Sequence, residues 1–234
     1  MGSGKNPARL DGEPATNTDP TAPWSLVIPL KPLVLAKSRL AERAGDLLRP
    51  QLALAFAQDT VAAALACPAI RNVAVVTDDP LASVQLAGLG AHIVPDLPAA
   101  GLNAALTHGA QQVRLSHPRA AVAALNADLP ALRPDELARV LDFATGFPRA
   151  FLADAAGVGT TLLAAGPGVE LRPIFGGPSR SRHSASGAVE IPLTGVDSVR
   201  QDVDTGQDLA VALTLGVGPR TSERLAAETR AAGG

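Results

Sequence analysis

The chain has 234 residues and a mass of 23.7 kDa, a formal net charge of −2, 47% hydrophobic residues and 3% aromatic ones. This near-neutral balance, with a pI of about 6.1, excludes the strongly basic surface that nucleic-acid or anionic-membrane partners require. The single cysteine, Cys67, excludes an intramolecular disulfide and a zinc site built from cysteines. No apolar run reaches the roughly 18 residues of a membrane span, so we expect a cytoplasmic protein.

The aromatic content predicts how a ligand would be held. The chain has five Phe, one Trp and no Tyr, so ring-stacking platforms for bases or sugars are scarce. We therefore expect any ligand to be bound mostly by backbone groups, hydroxyls, cations or a metal.

Composition also predicts the domain organisation. Residues 1–22 are rich in Gly, Pro, Thr, Asn and Asp and show no apolar periodicity, which is typical of a disordered leader. Residues 23–218 are predicted to form a single domain. Residues 219–234 are predicted to be a frayed tail.

Within that domain, the apolar segments predict alternating strands and helices. Short apolar runs at 24–30, 72–76, 91–94 and 121–125 are typical of strands buried on both faces. Residues 31–45 are predicted to be a cationic loop, followed by an Ala- and Leu-rich helix with Pro50 near its first turn. Because further helical segments separate the later runs, we expect βαβ units and a parallel sheet.

The pattern is less regular after Pro148. The segments RAFLAD and GTTLLAA flank the small-residue turn AAGVG and predict two strands, an antiparallel elaboration of the sheet. The later segment VRQDVDTGQDLAVALTLG is interpreted as a strand, an acidic turn and a closing helix. The expected fold class is therefore α/β, with three layers and a mostly parallel central sheet.

Carboxylates follow two of the predicted strands. Asp128 comes just after the fourth strand, and Asp202 and Asp204 come after the last one. Ligands of open α/β sheets bind at the carboxyl ends of the strands, where carboxylates suit Mg²⁺ together with phosphate oxygens and water. A single Asp in such a place is more often a helix cap or a turn residue. Three of them beside cations favour a metal site.

Cations follow the first predicted strand. Lys31, Lys37 and Arg39 lie in the segment after it, and Lys31 is well placed to bind a triphosphate. The alternative is a solvated loop surface, which is the usual place of such charges.

The segment Gly176–Gly187 combines glycines with hydroxyls and cations, among them Ser179 and Arg182. Backbone N–H groups, hydroxyls and guanidinium groups together predict an anion pocket. An exposed flexible loop is an equally good interpretation of the composition. The four histidines, including His183, show no metal-ligand spacing.

Several segments together resemble the CofC/FbiD family, the guanylyltransferases of deazaflavin coenzyme F-420 biosynthesis. These relatives of molybdenum-cofactor and sugar-phosphate nucleotidyltransferases share motifs that run here from about Trp24 to Pro219. The motifs are PLKPLVLAKSRL, GLNAAL, LNADLPAL, GVGTTLL, FGGPSRSRHSASGAVE and RQDVDTGQDL. The resemblance implies a Rossmann-like nucleotidyltransferase fold of the GT-A-like type.

The resemblance also implies a role for each matching residue. The metal-binding aspartates of the family fall on Asp128, Asp202 and Asp204. Its nucleotide-binding segment falls on Lys31, Lys37 and Arg39. Its acceptor-binding residues fall on Thr160, Gly176 and Ser179, and Asn103 matches the segment near the nucleoside.

The activity that the resemblance implies is transfer of GMP from GTP to an acceptor phosphate, with one or two Mg²⁺ ions and release of pyrophosphate. The Ala-, Arg- and Gly-rich composition is typical of actinobacteria, whose acceptor is taken to be phosphoenolpyruvate, and the product would pass to the next transferase of the pathway. 2-Phospho-L-lactate and 3-phosphoglycerate remain alternative acceptors. A non-catalytic nucleotide-binding module is the alternative from another class, and the three retained carboxylates weigh against it.

Overall fold

The computed structural model describes residues 24–35, 41–97 and 99–232, which form a three-layer α/β fold. The strands of this part of the chain are β1 (Trp24–Pro29), β2 (Ile70–Val76), β3 (His92–Val94), β4 (Ala121–Leu125), β5 (Arg149–Ala153), β6 (Thr160–Ala165) and β7 (Val189–Glu190). The helices are α1 (Ala41–Leu65), α2 (Pro80–Ala87), α3 (Leu102–Ser116), α4 (Pro134–Ala144), α5 (Ser179–Ala185), α6 (Asp197–Arg200), α7 (Gly206–Leu215) and α8 (Pro219–Ala232). A short 3-10 turn occupies Leu33–Leu35.

The strands form one sheet of seven in the order β3-β2-β1-β4-β6-β5-β7. β1 pairs in parallel with β2 and β4, and β2 pairs in parallel with β3. β6 runs antiparallel to both of its neighbours, β4 and β5, while β7 is parallel to β5. The predicted fold, mostly parallel with an antiparallel elaboration, is confirmed, and β6 begins at the edge of the sheet where β1, β4 and β5 end.

The central strands are buried on both faces, which explains their continuous apolar sequences. In β1, Leu26 and Ile28 join the apolar core formed with α1, α2 and α4, whereas Val27 packs with α3 on the opposite face. α3 lies very close to the sheet: a Cβ at Gly109 would lie 2.5 Å from Val27 Cγ1 and 2.6 Å from Val76 Cγ2. Glycine at this position therefore lets the helix approach the strands.

A third apolar cluster packs α7 and α8 against α1, with Val203 and Leu225 among its members. The Asp59 carboxylate of α1 caps the first turn of α8, accepting hydrogen bonds from the N–H groups of Arg220 at 3.0 Å and Thr221 at 2.8 Å. α8 is thus joined to the domain at its first turn and along its apolar side.

Three expectations about local structure are wrong. Residues 41–45 belong to α1, and Pro50 lies inside that helix instead of near its first turn. Strong helix formers precede Pro50. Because proline has no backbone N–H, the helix lacks one hydrogen bond there, but it does not end. Residues from Pro219 form α8 instead of a tail, because Asp59 supplies a cap. The strand predicted immediately before Asp202 is absent from the described structure: α6 ends at Arg200, and residues 201–205 form a loop.

Other expectations fall where the structure gives no description. The predicted leader, residues 1–22, and the cations Lys37 and Arg39 lie outside the described residues. The single-domain boundaries stay a prediction.

Candidate active site

A cavity of about 610 Å³ opens at the edge of the sheet where β1, β4 and β5 end and the reversed β6 begins. Its size is within the range of small-molecule sites. The predicted site residues that line it are Lys31, Asp128, Thr160, Gly176, Ser179, Asp202 and Asp204. Residues predicted from separate motifs along the chain therefore meet around one space.

The loop between α6 and α7 carries two of the carboxylates to the cavity. Val203 is fully buried in the cluster with α1 and α7, and its N–H donates to the carbonyl oxygen of Asp128 at 3.0 Å. Val203 faces the buried cluster, whereas Asp202 and Asp204, on either side of it in the chain, both line the cavity. Asn126 Nδ2 also donates to Asp202 Oδ2 at 3.4 Å.

Two charged side chains hold α6, which immediately precedes this loop. Glu136 of α4, 8% exposed, accepts hydrogen bonds from the N–H of Ser198 at 2.9 Å and from its hydroxyl at 2.8 Å. Arg200 donates to the carbonyl oxygen of Ala153 at 2.8 Å and to two carbonyl oxygens that follow β7. Burial lowers the pKa of Arg200 from its ordinary value. α6 is thereby fixed to the end of β5, beside the cavity.

The carboxylates do not form a complete metal centre by themselves. Among the described residues, no three His, Cys, Asp or Glu side chains lie close enough to hold an ion. Asp128, Asp202 and Asp204 nevertheless line one cavity and offer only oxygen atoms. Mg²⁺ is usually bound by one or two protein carboxylates together with substrate phosphates and water. The donor set therefore fits Mg²⁺ that binds jointly with a phosphate substrate.

Two hydroxyls and an imidazole form a connected group on another part of the wall. Thr160, the first residue of β6, and Ser179, the first of α5, are 4% and 1% exposed. Thr160 Oγ1 lies 3.1 Å from Ser179 Oγ and 3.0 Å from His183 Nδ1. The other ring nitrogen of His183, Nε2, accepts a hydrogen bond from the N–H of Ile174 at 3.0 Å.

The environment of His183 keeps its ring neutral near pH 7. Burial, followed by the charges of Arg149 and Arg182, lowers the pKa of His183 from 6.5 to about 4. The ring packs beside Phe151 and Phe175, with centroid distances of 5.7 and 5.1 Å. Since the backbone N–H of Ile174 donates to Nε2, the proton of the neutral ring is on Nδ1.

A glycine turn completes this wall. Gly176 and Gly177 have φ angles of 92° and 50°, and a Cβ at Gly176 would meet no atom within 4 Å. The backbone of Gly176 is therefore accessible from the cavity. Asn103, at the start of α3, fixes the residue before the turn: its amide donates to the carbonyl oxygen of Phe175 at 3.2 Å and accepts from its N–H at 2.8 Å.

Two of the predicted substrate-binding residues do not line the cavity. Asn103 does not itself line the cavity, because its amide is bound to Phe175. Arg182 is exposed and does not line the cavity either. Lys31 is exposed and lies two residues after β1. Of the predicted cations within the described residues, Lys31 lines the cavity.

Sequence reasoning assigned no role to Asp154, which also lines the cavity. Its carboxylate accepts hydrogen bonds from the N–H groups of Val158 at 2.9 Å and Gly159 at 2.8 Å and orders the turn that leads into β6. An Asp before a Gly-rich turn was an available signal. His183 gave no such signal, because Thr160 lies 23 residues earlier in the chain.

None of the helices in the described ranges is both long and apolar enough to cross a membrane.

The chain shares its fold with solved structures of other proteins at low sequence identity. A nucleotidyl transferase from Methanothermobacter superposes with a TM-score of 0.60 at 22% identity, covering 82% of this chain and 97% of that one. A 4-diphosphocytidyl-2C-methyl-D-erythritol synthase superposes with a TM-score of 0.53 at 14% identity, covering 82% and 98%. The fold is therefore that of a nucleotidyltransferase.

Sequence comparison defines the family more closely. Residues 33–174 match the MobA-like NTP transferase domain. A phosphoenolpyruvate guanylyltransferase from Streptomyces avermitilis is 71% identical over 199 residues, 85% of this chain and 92% of the relative. One from Streptomyces coelicolor is 69% identical, covering 85% and 94%. The chain belongs to the MobA-like nucleotidyltransferase family and, within it, to the group that these guanylyltransferases represent.

Proposed function

We propose that the chain transfers GMP from GTP to phosphoenolpyruvate and releases pyrophosphate. The observation that carries this function is that one cavity joins a carboxylate edge to a wall of hydroxyls and glycine backbone. These are the two kinds of group that a metal-bound triphosphate and a second anion require. The relatives that are 71% and 69% identical bear the name of this activity, which supports both the nucleotide and the acceptor.

The reaction depends on alignment more than on proton transfer. A phosphate oxygen of phosphoenolpyruvate attacks the α-phosphorus of GTP, and a new phosphorus–oxygen bond forms. The bond from that phosphorus to the oxygen bridging the α- and β-phosphates breaks, and pyrophosphate leaves in line. Because the attacking oxygen is already anionic, the reaction requires no protein base. The barrier lies in holding two polyanions together, so positioning and charge compensation account for the catalysis.

The residues divide between the two substrates. Lys31, two residues after β1, binds the triphosphate and stabilises the pyrophosphate as it leaves. Lys37 and Arg39 have the same role in this proposal. Thr160 and Ser179, with the backbone at Gly176, bind and orient the acceptor.

One or two Mg²⁺ ions are part of the proposal. Asp128, Asp202 and Asp204 would hold them together with oxygens of the substrates. When bound, Mg²⁺ supplies charge neutralisation at the reacting phosphates. The chain's own contribution is the loop, anchored by the buried Val203, that keeps two of the three carboxylates at the cavity.

The biological setting belongs to the same proposal and rests on the resemblance of the motifs. It comprises a place in coenzyme F-420 biosynthesis, transfer of the product to the next transferase, and a cytoplasmic location.

A turnover assay tests the proposed function. The purified chain is incubated with GTP and Mg²⁺ and offered phosphoenolpyruvate, 2-phospho-L-lactate or 3-phosphoglycerate separately. Pyrophosphate release and the mass of the nucleotide product are measured, with ATP in place of GTP as the base control. We expect equal amounts of pyrophosphate and product with GTP and phosphoenolpyruvate. No release with any acceptor would leave only a nucleotide-binding module, and a preference for 2-phospho-L-lactate would change the acceptor.

A further inference from the structure

The Thr160–Ser179 pair has a limited number of protons to donate. Each hydroxyl has one proton and two lone pairs. The two oxygens lie 3.1 Å apart, so one of the two protons forms the hydrogen bond between them. Whether the second proton is available to a ligand depends on what Thr160 exchanges with His183, 3.0 Å away.

The backbone determines the direction of that exchange. The N–H of Ile174 always donates, so Nε2 of His183 must carry a lone pair. A neutral ring with this constraint is protonated on Nδ1 and donates to Thr160. A doubly protonated ring would direct its Nε2–H at the N–H of Ile174. The pKa of about 4, which burial and nearby Arg149 and Arg182 produce, agrees with the neutral ring.

The opposite tautomer would change the chemistry of the wall. If Nδ1 accepted instead, Thr160 would donate to His183 and Ser179 would donate to Thr160. Both hydroxyl protons would then be used within the protein, and the pair would present only lone pairs to the cavity. A surface of lone pairs repels an anion, whereas one hydroxyl proton directed into the cavity binds it.

We propose that His183 is a positioning residue: by donating its Nδ1 proton to Thr160, it commits the Thr160–Ser179 pair to donate one proton to an anionic oxygen of the acceptor, a role that rests on the proposed function. The ring itself is 0% exposed and does not line the cavity, so it acts through Thr160. Phe151 and Phe175 pack against the ring and restrict its orientation.

Two substitutions of similar polarity separate this role from a structural one. In His183→Asn the side-chain amide reaches the place of Nδ1, so it keeps a donor for Thr160 and loses the acceptor for Ile174. In His183→Gln the longer amide reaches the place of Nε2 and keeps the acceptor for Ile174 but loses the donor. We expect the Gln variant to raise the KM for phosphoenolpyruvate by about tenfold, because Thr160 loses the donor that directs its own proton to the cavity, with the KM for GTP nearly unchanged. The Asn variant should retain most of the acceptor affinity.

Calorimetric binding of phosphoenolpyruvate, with and without GTP and Mg²⁺, provides a readout independent of turnover. The variant Thr160→Val/Ser179→Ala removes both hydroxyls and should lose the affinity that the pair supplies, and adding His183→Gln to it should weaken binding no further, because His183 acts only through the pair. Inorganic phosphate and pyruvate, used as competitors, distinguish the phosphate from the carboxylate as the source of the anionic oxygen. The competitor that loses potency in the Gln variant identifies it.

The outcomes separate the two levels of the proposal. Wild-type protein that binds and turns over none of the acceptors contradicts the proposed function, and this role with it. Acceptor binding that the Gln variant leaves unchanged contradicts the role of His183 alone. Better acceptor binding by the Gln variant than by the Asn variant would show that His183 acts only by holding Ile174. If either His183 variant fails to fold, the ¹⁵N chemical shifts of the His183 ring in the wild-type chain decide, because a proton on Nε2 instead of Nδ1 would contradict the proposed donor.

Discussion

At the scale of single residues, buried side chains next to the cavity determine how the residues that line it are placed. Val203, which lies between Asp202 and Asp204 in the chain, is fully buried, and its N–H donates to the carbonyl oxygen of Asp128. His183 is buried behind Thr160 in the same way. In both cases an apolar or neutral group inside the fold determines where a polar group beside it points.

The carboxylates give the most direct prediction about turnover. Asp128→Asn or Asp202→Asn removes a charge from the cavity without changing side-chain size, and we expect kcat to fall by about a hundredfold or more with little change in Tm. Raising the Mg²⁺ concentration should recover part of the activity. Asp142→Asn is the matched control, since Asp142 is an exposed carboxylate of α4 outside the cavity lining. Near-wild-type activity in both cavity variants would place the metal elsewhere.

The buried histidine predicts a pH dependence of stability. The pKa of His183 is about 4 in the folded chain and near its ordinary value of 6.5 when unfolded. Between these values the unfolded chain binds more protons, so the contribution is complete above about pH 6.5 and is lost as the pH falls towards 4. The total is on the order of 3 kcal/mol. Urea unfolding between pH 7.5 and 4.5 should show a steeper loss in wild type than in His183→Asn. Parallel curves would mean that the folded ring titrates normally.

At the scale of elements, the distance between α3 and the sheet affects both packing and the site. Gly109 permits close contact with β1 and β2 in the middle of α3. The same helix carries Asn103, near its start, to the backbone of Phe175, which precedes the glycine turn of the cavity. A shift of α3 away from the sheet would therefore move that turn.

Gly109→Val tests this packing. The added side chain would overlap Val27 and Val76, neither of which can move out of a strand buried on both faces. We expect a loss of about 2–3 kcal/mol in the free energy of unfolding, measured with urea. Gln111→Val introduces the same side chain at an exposed position of α3 and should change stability by less than about 1 kcal/mol. Equal effects at the two positions would show that the close approach is unimportant.

At the scale of the whole molecule, α8 closes the fold against α1 through a cap supplied from far away in sequence. Asp59→Ala leaves the N–H groups of Arg220 and Thr221 without their acceptor, and we expect a loss of about 1–2 kcal/mol. Hydrogen exchange should accelerate in α8 more than in the sheet. Glu223→Ala, which alters an exposed charge of α8 but not its cap, is the control. Uniform acceleration across the molecule would mean that α8 does not open separately.

How well the fold could be predicted follows from the range of the interactions that form each element. β4 was expected at residues 121–125 and is found there, because burial on both faces leaves a continuous apolar run. α8 was missed, since its cap at Asp59 lies 161 residues from Arg220 in the chain. Pro50 favours a helix start near it, but the residues before it also favour helix, and α1 begins at Ala41.

The same distinction applies to the site. Asp128 lines the cavity because it follows the parallel strand β4, whereas Asp202 and Asp204 reach the cavity from a loop between two helices, and the metal-binding role of all three stays a prediction. The role of His183 could not be found from sequence, because it depends on a ring nitrogen being paired with the backbone of Ile174 in three dimensions.

The reversed direction of β6 places the proposed acceptor site and the proposed nucleotide site on different kinds of chain segment. The strands β1, β4 and β5 reach the cavity at their carboxyl ends, but β6 reaches it with its first residue, directly after the turn that joins it to β5. Under the proposed function, the acceptor therefore meets a hairpin tip and the nucleotide meets ends of parallel strands. A hairpin tip can change length or sequence without altering the strand order behind it. Related enzymes could thus acquire new acceptors by remodelling this tip while the nucleotide half stays unchanged.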